Sequence, residues 1–230
     1  MDEANPFWSD TTKPCHADPV LPWLEMVKIN RVYREVVVRL GRPARVLDVG
    51  CGETAKVRLA CPGANYTGID PYPRDIDVMC ATLREAFHTG IGPFDLIVCC
   101  RSLSNVGDPL EQSAMYLQDL AATDGLVLVI DSWAPARAAI QAYRAEQGFV
   151  SLPESSSGSV DLPADTANIF QHAGLLPCGR TELAREYALG TRLAATLLSA
   201  DERVMYWAEG KEPANPTEYS LWQCWTFRRA

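Results

Sequence analysis

One stretch decides the fold: Arg45-Val46-Leu47-Asp48-Val49-Gly50-Cys51-Gly52-Glu53-Thr54-Ala55. Its apolar residues form a short run that Pro43 precedes and two glycines close. Such a run predicts a buried parallel strand that ends in a tight turn, where bare backbone can approach a ligand. The pattern is typical of nucleotide sites, so we expect a nucleotide-like ligand at this turn.

The charge at the turn distinguishes between two kinds of ligand that fit the pattern, a dinucleotide with its pyrophosphate and a positively charged nucleotide-like ligand. The two glycines and Ala55 also satisfy the relaxed dinucleotide fingerprint, and Asp70 follows Gly50 by 20 residues. A dinucleotide turn offers N–H groups to a pyrophosphate, whereas Asp48 and Glu53 place carboxylates on both sides of this turn. A ligand with an ammonium and a sulfonium would be attracted instead, and S-adenosylmethionine (SAM) is such a ligand.

The segment from Val46 to Gly52 resembles motif I of class I SAM-dependent methyltransferases, whose usual form is (I/V)LD-x-G-x-G-x-G. Thr54 stands where the family usually has its third glycine, which indicates a slightly different turn. The resemblance implies an α/β fold with a doubly wound, mostly parallel seven-stranded sheet. In that fold helices cover both faces of the sheet, and the last strand is antiparallel.

Length and composition fit a single enzyme domain. The chain has 230 residues, 47% of them apolar, and its formal charge of −8 argues against nucleic acid or an anionic membrane as partner. No apolar run approaches 18 residues and the N-terminal residues are polar, so we expect a cytoplasmic protein. The eight cysteines include no C-x-x-C, and we expect reduced thiols and no metal site.

Periodicity and the order of elements in the family predict the surroundings of motif I. We expect one domain over 1–230, with an N-terminal arm and first helix over 1–44, a cofactor-binding half over 45–131 and a substrate-side half with lid or cap insertions over 132–230. Helices are predicted at Pro22–Leu40, Lys56–Leu59, Glu111–Ala121, Ala134–Gln147, Asp165–Ala173 and Ala194–Trp207. Strands are predicted at Tyr66–Asp70, Asp75–Cys80, Phe94–Cys100, Leu126–Asp131, Gly174–Arg180 and Tyr219–Arg228, and a mobile loop at Ser151–Asp165.

The resemblance assigns cofactor contacts to the carboxyl ends of the predicted strands. Asp70 ends the second strand, and in the family an acid there accepts hydrogen bonds from both ribose hydroxyls, which an acceptor-only carboxylate suits. Ala81 stands where the family commonly has an aspartate for the adenine amino group, which leaves backbone N–H groups at Thr82 or Leu83 for a ring nitrogen. The expected cofactor contacts are Asp48, Gly50, Cys51, Gly52, Asp70, Pro71, Ala81, Thr82, Leu83, Cys99 and Cys100.

Methyl transfer requires positioning more than acid–base chemistry. It is an in-line displacement at an activated carbon, so the protein must hold the nucleophile about 3–3.5 Å away, and a base is optional. Asp131 is the first candidate for a base, with His172, Asn105 and His88 behind it. Each also fits a capping, packing or orienting role, and the cysteine pair that ends the fourth strand fits packing against the cofactor better than a nucleophile.

The sequence is therefore interpreted as a SAM-dependent methyltransferase that acts on an oxygen, nitrogen or carbon of a small molecule, with secondary metabolism as an expected setting. A non-catalytic SAM-binding module and a nicotinamide-dependent oxidoreductase remain alternatives. We expect a monomer or homodimer whose partner is the small-molecule acceptor. An aromatic substrate pocket is suggested by Trp133, Tyr143, Trp207, Trp222 and Trp225, although the last two also fit the core.

Overall fold

The computed structural model describes residues 20–52, 56–73, 77–103, 107–148, 161–183 and 221–230. The strands are β1 (Arg45–Val49), β2 (Asn65–Asp70), β3 (Met79–Cys80), β4 (Phe94–Cys100), β5 (Ala121–Ser132), β6 (Leu175–Glu182) and β7 (Trp222–Arg229). They form a seven-stranded sheet in the order β3-β2-β1-β4-β5-β7-β6. The first five strands pair in parallel, and β7 runs antiparallel to both neighbours. The predicted sheet with an antiparallel last strand is confirmed.

Helices cover both faces of this sheet. They are α1 (Val20–Leu40), α2 (Lys56–Ala60), α3 (Leu83–His88), α4 (Leu110–Leu120), α5 (Ala134–Glu146) and α6 (Thr166–His172). Apolar residues of α1, α2 and α5 join the core on one side, here called the α1 face, and those of α3, α4 and α6 join the core on the α4 face. Strand β4 is buried on both sides, since Leu96 faces α1 and Ile97 faces α4.

The prediction for β3 is wrong in its length. A strand over Asp75–Cys80 was expected, but only Met79 and Cys80 pair with β2, opposite Ile69 and Asp70. Asp77 and Val78 form a turn, and residues 74–76 lie outside the described part of the chain. A parallel crossover normally takes a dozen or more residues, so the short connection from β2 returns to the sheet only at its carboxyl edge.

Strand β5 begins earlier than its apolar run predicts. A strand over Leu126–Asp131 was expected, whereas the strand starts at Ala121 and passes through Asp124 and Gly125. Asp124 has a φ of 59°, and a Cβ on Gly125 would lie 2.7 Å from the carbonyl oxygen of Ala122. The Asp-Gly pair therefore marks an irregularity inside a strand, where the backbone approaches itself too closely for a side chain.

The last described elements follow α5 and lead to the β7–β6 edge of the sheet. The α6 helix and β6 follow a segment in which Leu162 forms a bridge with Trp133, and Arg137 of α5 forms an ion pair with Asp161. The predicted helix Ala194–Trp207 and most of the predicted loop Ser151–Asp165 lie outside the described residues. Among the helices that the structure describes, none has the length and apolarity needed to span a membrane.

Candidate active site

The turn after β1 is shaped by two glycines with different surroundings. Gly50 and Gly52 have φ angles of 67° and 57°, which glycine adopts without strain. A Cβ on Gly50 would lie 2.6 Å from the Cβ of Ser102, in the loop after β4, whereas a Cβ on Gly52 would meet none of the described residues within 4 Å. Gly50 thus allows two strand ends to touch, and Gly52 borders open space at the carboxyl edge of the sheet.

Asp70 is held rigidly beside that open space. One carboxylate oxygen accepts a hydrogen bond of 2.9 Å from the N–H of Gly52, and the other accepts one of 2.8 Å from the N–H of Tyr72. Each oxygen keeps a lone pair for a further donor. This arrangement fits a group with two neighbouring hydroxyls, such as a ribose, at the predicted position.

The residues after β3 narrow the choice of adenine donor. Ala81 is buried, and its N–H donates to the carbonyl oxygen of Asp70 at 3.2 Å. Thr82 caps α3, where its N–H donates to the Glu85 carboxylate and its hydroxyl accepts from the Glu85 N–H. Of the two predicted donors this leaves Leu83, whose N–H lies in the first helical turn and has no acceptor within the helix.

Asp48 lies beneath the turn. It is 2% exposed, and its carboxylate accepts a hydrogen bond of 2.9 Å from the Tyr66 hydroxyl. Burial raises its pKa to about 7, against the opposing effects of Tyr66 and Lys56, and nearby Asp70 raises it further. The Asp48 carboxyl therefore changes charge near neutral pH. Glu53, the second predicted carboxylate, lies outside the described residues.

A buried ion cluster joins α1 to this edge of the sheet, and sequence reasoning missed it. Glu25 is fully buried, with the Lys56 ammonium 2.6 Å from one carboxylate oxygen and the Arg101 Nε 2.8 Å from the other. Arg101 follows β4 with a φ of 56°, and its N–H donates to the carbonyl oxygen of Ile130 at 2.7 Å. The cluster carries a net positive charge. Its signal in the sequence is an acid between Leu24 and Met26, on a helix face that is otherwise apolar.

A model of the methyltransferase domain matches residues 27–175, which is more than half of the chain. The chain belongs to this methyltransferase family. The resemblance to class I SAM-dependent methyltransferases is thus confirmed, and with it the predicted cofactor. The match decides against a nicotinamide-dependent oxidoreductase.

Solved structures agree on the fold. The chain superposes with a TM-score of 0.53 on 1,6-didemethyltoxoflavin-N1-methyltransferase of Burkholderia thailandensis, at 14% identity over 90% of this chain and 80% of that one. A geranyl diphosphate methyltransferase in complex with SAM gives a TM-score of 0.57 at 12% identity, over 95% and 93% of the two chains. An N-methyltransferase of Bradyrhizobium japonicum with S-adenosylhomocysteine gives 0.52 at 13% identity, over 99% and 93%. Among curated proteins none matches the sequence.

The sheet of the methyltransferase gathers the predicted cofactor residues at one edge. Because β1 to β4 are parallel, their carboxyl ends lie side by side, and open α/β sheets bind ligands outside these ends. The side chains differ in solvent exposure: Cys99 is buried in the core, whereas Cys80 is exposed beside Pro71. The predicted contacts that meet there are Asp48, Gly50, Cys51, Gly52, Asp70, Pro71, Ala81, Thr82, Leu83, Cys99 and Cys100.

The cysteines of the methyltransferase site are neutral packing groups. Burial raises the pKa of Cys51 to about 12 and those of Cys99 and Cys100 well above the ordinary value. A thiol with such a pKa is protonated at neutral pH and is a poor nucleophile. Within the described ranges, no group of three or more His, Cys, Asp or Glu is placed to hold a metal ion.

The candidate bases of the methyltransferase fall at different edges of the sheet. Asp131 lies at the carboxyl end of β5, is 2% exposed, and accepts a hydrogen bond of 2.9 Å from the N–H of Ser132. His172 ends α6 just before β6 begins, so it lies at the opposite, amino edge. His88 likewise ends α3, exposed at the same amino edge. The structure does not bring either histidine to the crevice, and Asn105 lies outside the described residues.

Proposed function

We propose that this methyltransferase transfers the methyl group of SAM to an oxygen, nitrogen or carbon atom of a small molecule, as enzymes of secondary metabolism do. The observation that carries the proposal is Asp70, fixed by Gly52 and Tyr72 at the border of the open space above the turn. When bound, SAM supplies a methyl group that its sulfonium has already activated. The protein then has to bind and orient SAM and the acceptor, and to exclude water from the reacting centre.

The chain offers a partner for each polar part of the cofactor. Asp70 would accept from the ribose hydroxyls, and Leu83 N–H would donate to the adenine ring. Lys56 and Arg101, which exceed the charge of Glu25 by one, suit the carboxylate of the methionine part. Asp48, once ionised, adds negative charge on the side where the ammonium and sulfonium are expected.

Asp131 is the residue that we propose for the acceptor side. It is the second-last residue of β5, the strand next to β4. In register it lies one residue beyond Cys100, and so it borders the same crevice. A buried carboxylate there can accept a hydrogen bond from an O–H or N–H nucleophile and orient its lone pair. An Asp131→Asn variant should therefore lower kcat and leave the dissociation constant of SAM unchanged.

Two observations support a small acceptor. The formal charge of −8 disfavours nucleic acid as a substrate. Fold neighbours are named for small molecules, a didemethyltoxoflavin in one case and geranyl diphosphate in another.

We retain 45–131 as the cofactor-binding half and 132–230 as the substrate-side half.

Methyl-labelled SAM tests the proposal without knowledge of the acceptor. The purified protein is incubated with labelled SAM and cell extract, and the extract is then separated into acid-precipitable macromolecules and acid-soluble small molecules. We expect label in the soluble fraction beyond SAM and its breakdown products, and, at SAM concentrations below the dissociation constant, at least about tenfold less label with an Asp70→Ala variant. Label in nucleic acid or protein would contradict the small-molecule proposal. SAM binding without any transfer would indicate the non-catalytic module instead.

A further inference from the structure

A pocket that is separate from the proposed cofactor crevice lies on the α4 face of the sheet. Its volume is about 280 Å³, and Trp133 and Trp225 form its walls. Pro177 and Gly179 of β6 line it as well, together with Thr166 at the start of α6. A cavity of about 150 Å³ already holds benzene, so this one has room for a single ring with a substituent.

Arg180 supplies the charge of this pocket. The centre of its guanidinium lies 4.4 Å from the centre of the Trp133 ring and 5.8 Å from that of Trp225. Its Nε donates a hydrogen bond of 3.0 Å to Gln223, which is fully buried and so fixes the guanidinium in place. Among the described residues no carboxylate pairs with Arg180. Glu182, the acid of β6, is not part of the lining.

The remaining polar atoms of the pocket define what it can bind. The indole N–H of Trp133 donates to the carbonyl oxygen of Pro163, and the Thr166 hydroxyl donates to the same oxygen. Neither donor is therefore free for a ligand. The terminal nitrogens of Arg180 are donors only, so they require an acceptor, and a negatively charged one is bound most strongly.

We propose that this pocket, defined by Trp133, Arg180 and Trp225, binds a small planar carboxylate, and that this group is the non-reacting end of the methyl acceptor. The indole walls accommodate the ring, and the guanidinium edge receives the two carboxylate oxygens. The same guanidinium repels cationic ligands, although aromatic walls alone would attract them.

The position of the pocket fits an acceptor that extends from the crevice. In register Arg180 lies opposite Trp225, which lies opposite Val129, two residues before Asp131. The backbone of Arg180 is thus about two strand spacings, roughly 10 Å, from β5. Trp133 follows Asp131 by two residues and borders the pocket directly. This second part of the inference depends on the proposed function, whereas binding of the carboxylate does not.

Binding of three matched probes tests the pocket itself. Benzoate, benzamide and benzylammonium share a ring and differ in charge, and ligand-observed NMR with the full chain gives their relative affinities. We expect benzoate to bind at least about tenfold more tightly than benzamide, and benzylammonium not to bind. In Arg180→Met, which removes the guanidinium and keeps an unbranched side chain, the affinities of benzoate and benzamide should become equal.

Two further variants make the test specific. Arg180→Lys keeps the charge and should keep the order of the probes. Arg45→Met removes a guanidinium that lies 5.4 Å over Phe94 at the amino edge of the sheet, and should change nothing. The proposal is overturned if benzamide binds as tightly as benzoate in the native chain, or if the preference persists in Arg180→Met or disappears in Arg180→Lys.

The methyl-transfer assay tests the link to the acceptor. The labelled product should be retained by an anion exchanger at neutral pH, and Arg180→Met should raise the KM for the acceptor without altering the dissociation constant of SAM. A labelled product that passes the exchanger would disprove the link. If no acceptor is labelled while benzoate binding depends on Arg180, the proposed function fails and the carboxylate pocket stands.

Discussion

An Asp48→Asn variant should make the protein more stable at pH 8 and leave it nearly unchanged near pH 4. Burial raises the pKa of Asp48 to about 7, whereas an aspartate in an unfolded chain has a pKa of about 3.9. Between these values the folded state keeps a proton that the unfolded state has lost. Stability therefore falls as pH rises from about 4 to about 7, and the loss is complete above pH 7.

The structure sets the size of the effect. The two pKa values differ by about 3 units, and at 1.36 kcal/mol for each unit the ionised carboxylate costs about 4 kcal/mol above pH 7. Asp48 is 2% exposed, so solvent screens little of this cost. Asparagine has a similar shape, and its amide oxygen can still accept the hydrogen bond from the Tyr66 hydroxyl. It carries no charge at any pH.

Urea unfolding of the cofactor-free protein at pH 5 and pH 8 measures the difference. At pH 5 the gain from Asp48→Asn should be about 1.5 kcal/mol, and at pH 8 about 4 kcal/mol. Asp95→Asn is the matched control, because hydrogen bonds from Arg42 and the Arg45 N–H outweigh burial and lower the pKa of Asp95. That variant should lose stability at both pH values. A gain for Asp48→Asn that is equal at both, or a loss at pH 8, would refute the reasoning.

Three further variants test the site by its parts. Asp70→Ala should weaken SAM binding by about 1.5–3 kcal/mol in calorimetry, the range for hydrogen bonds to a charged group, and an unchanged affinity would contradict its ribose role. Gly50→Ala should destabilise the fold by more than Gly41→Ala, because both glycines have a positive φ but, of the two, only Gly41 has room for a Cβ. If urea unfolding gives an equal loss of stability of about 1 kcal/mol for both variants, the close approach of Gly50 to Ser102 costs nothing. Glu25→Gln should cost about 3 kcal/mol because it removes the buried anion that Lys56 and Arg101 both contact, whereas Glu35→Gln, in an exposed pair, should cost less than about 0.5 kcal/mol. Similar losses for the two variants would contradict a stabilising role of the buried cluster.

The local sequence pattern was sufficient to predict the central strand of the sheet and the turn that follows β1. The run Phe94–Cys100 is apolar apart from Asp95, and the turn after Val49 has glycines where positive φ angles occur, so short-range chemistry determines both. The order of elements then implied their parallel pairing, because helices separate β1 from β2, β3 from β4 and β4 from β5. The predicted grouping of Asp48, Gly52 and Asp70 at one edge follows from that pairing.

Features that depend on distant parts of the chain were not predictable in the same way. The length of β3 depends on where β2 ends. Glu25 contacts Lys56 and Arg101, which follow it in the sequence by 31 and 76 positions. His172 looked available as a base, yet the direction of α6 places it at the amino edge. The cation beside Trp133 comes from Arg180, and no periodicity relates the two.

Glu25 bears on how this domain can be excised or transplanted. The family match begins at Val27, two residues after Glu25, and ends at Leu175, before Arg180 and Trp225. A protein engineered to those limits would retain Lys56 and Arg101 but discard the anion that pairs with both. It would also discard half of the residues that line the tryptophan-lined pocket, Arg180 and Trp225 among them. Homology-defined boundaries and electrostatic boundaries therefore differ in this enzyme, and a transferable unit has to include α1 in full together with the final antiparallel pair.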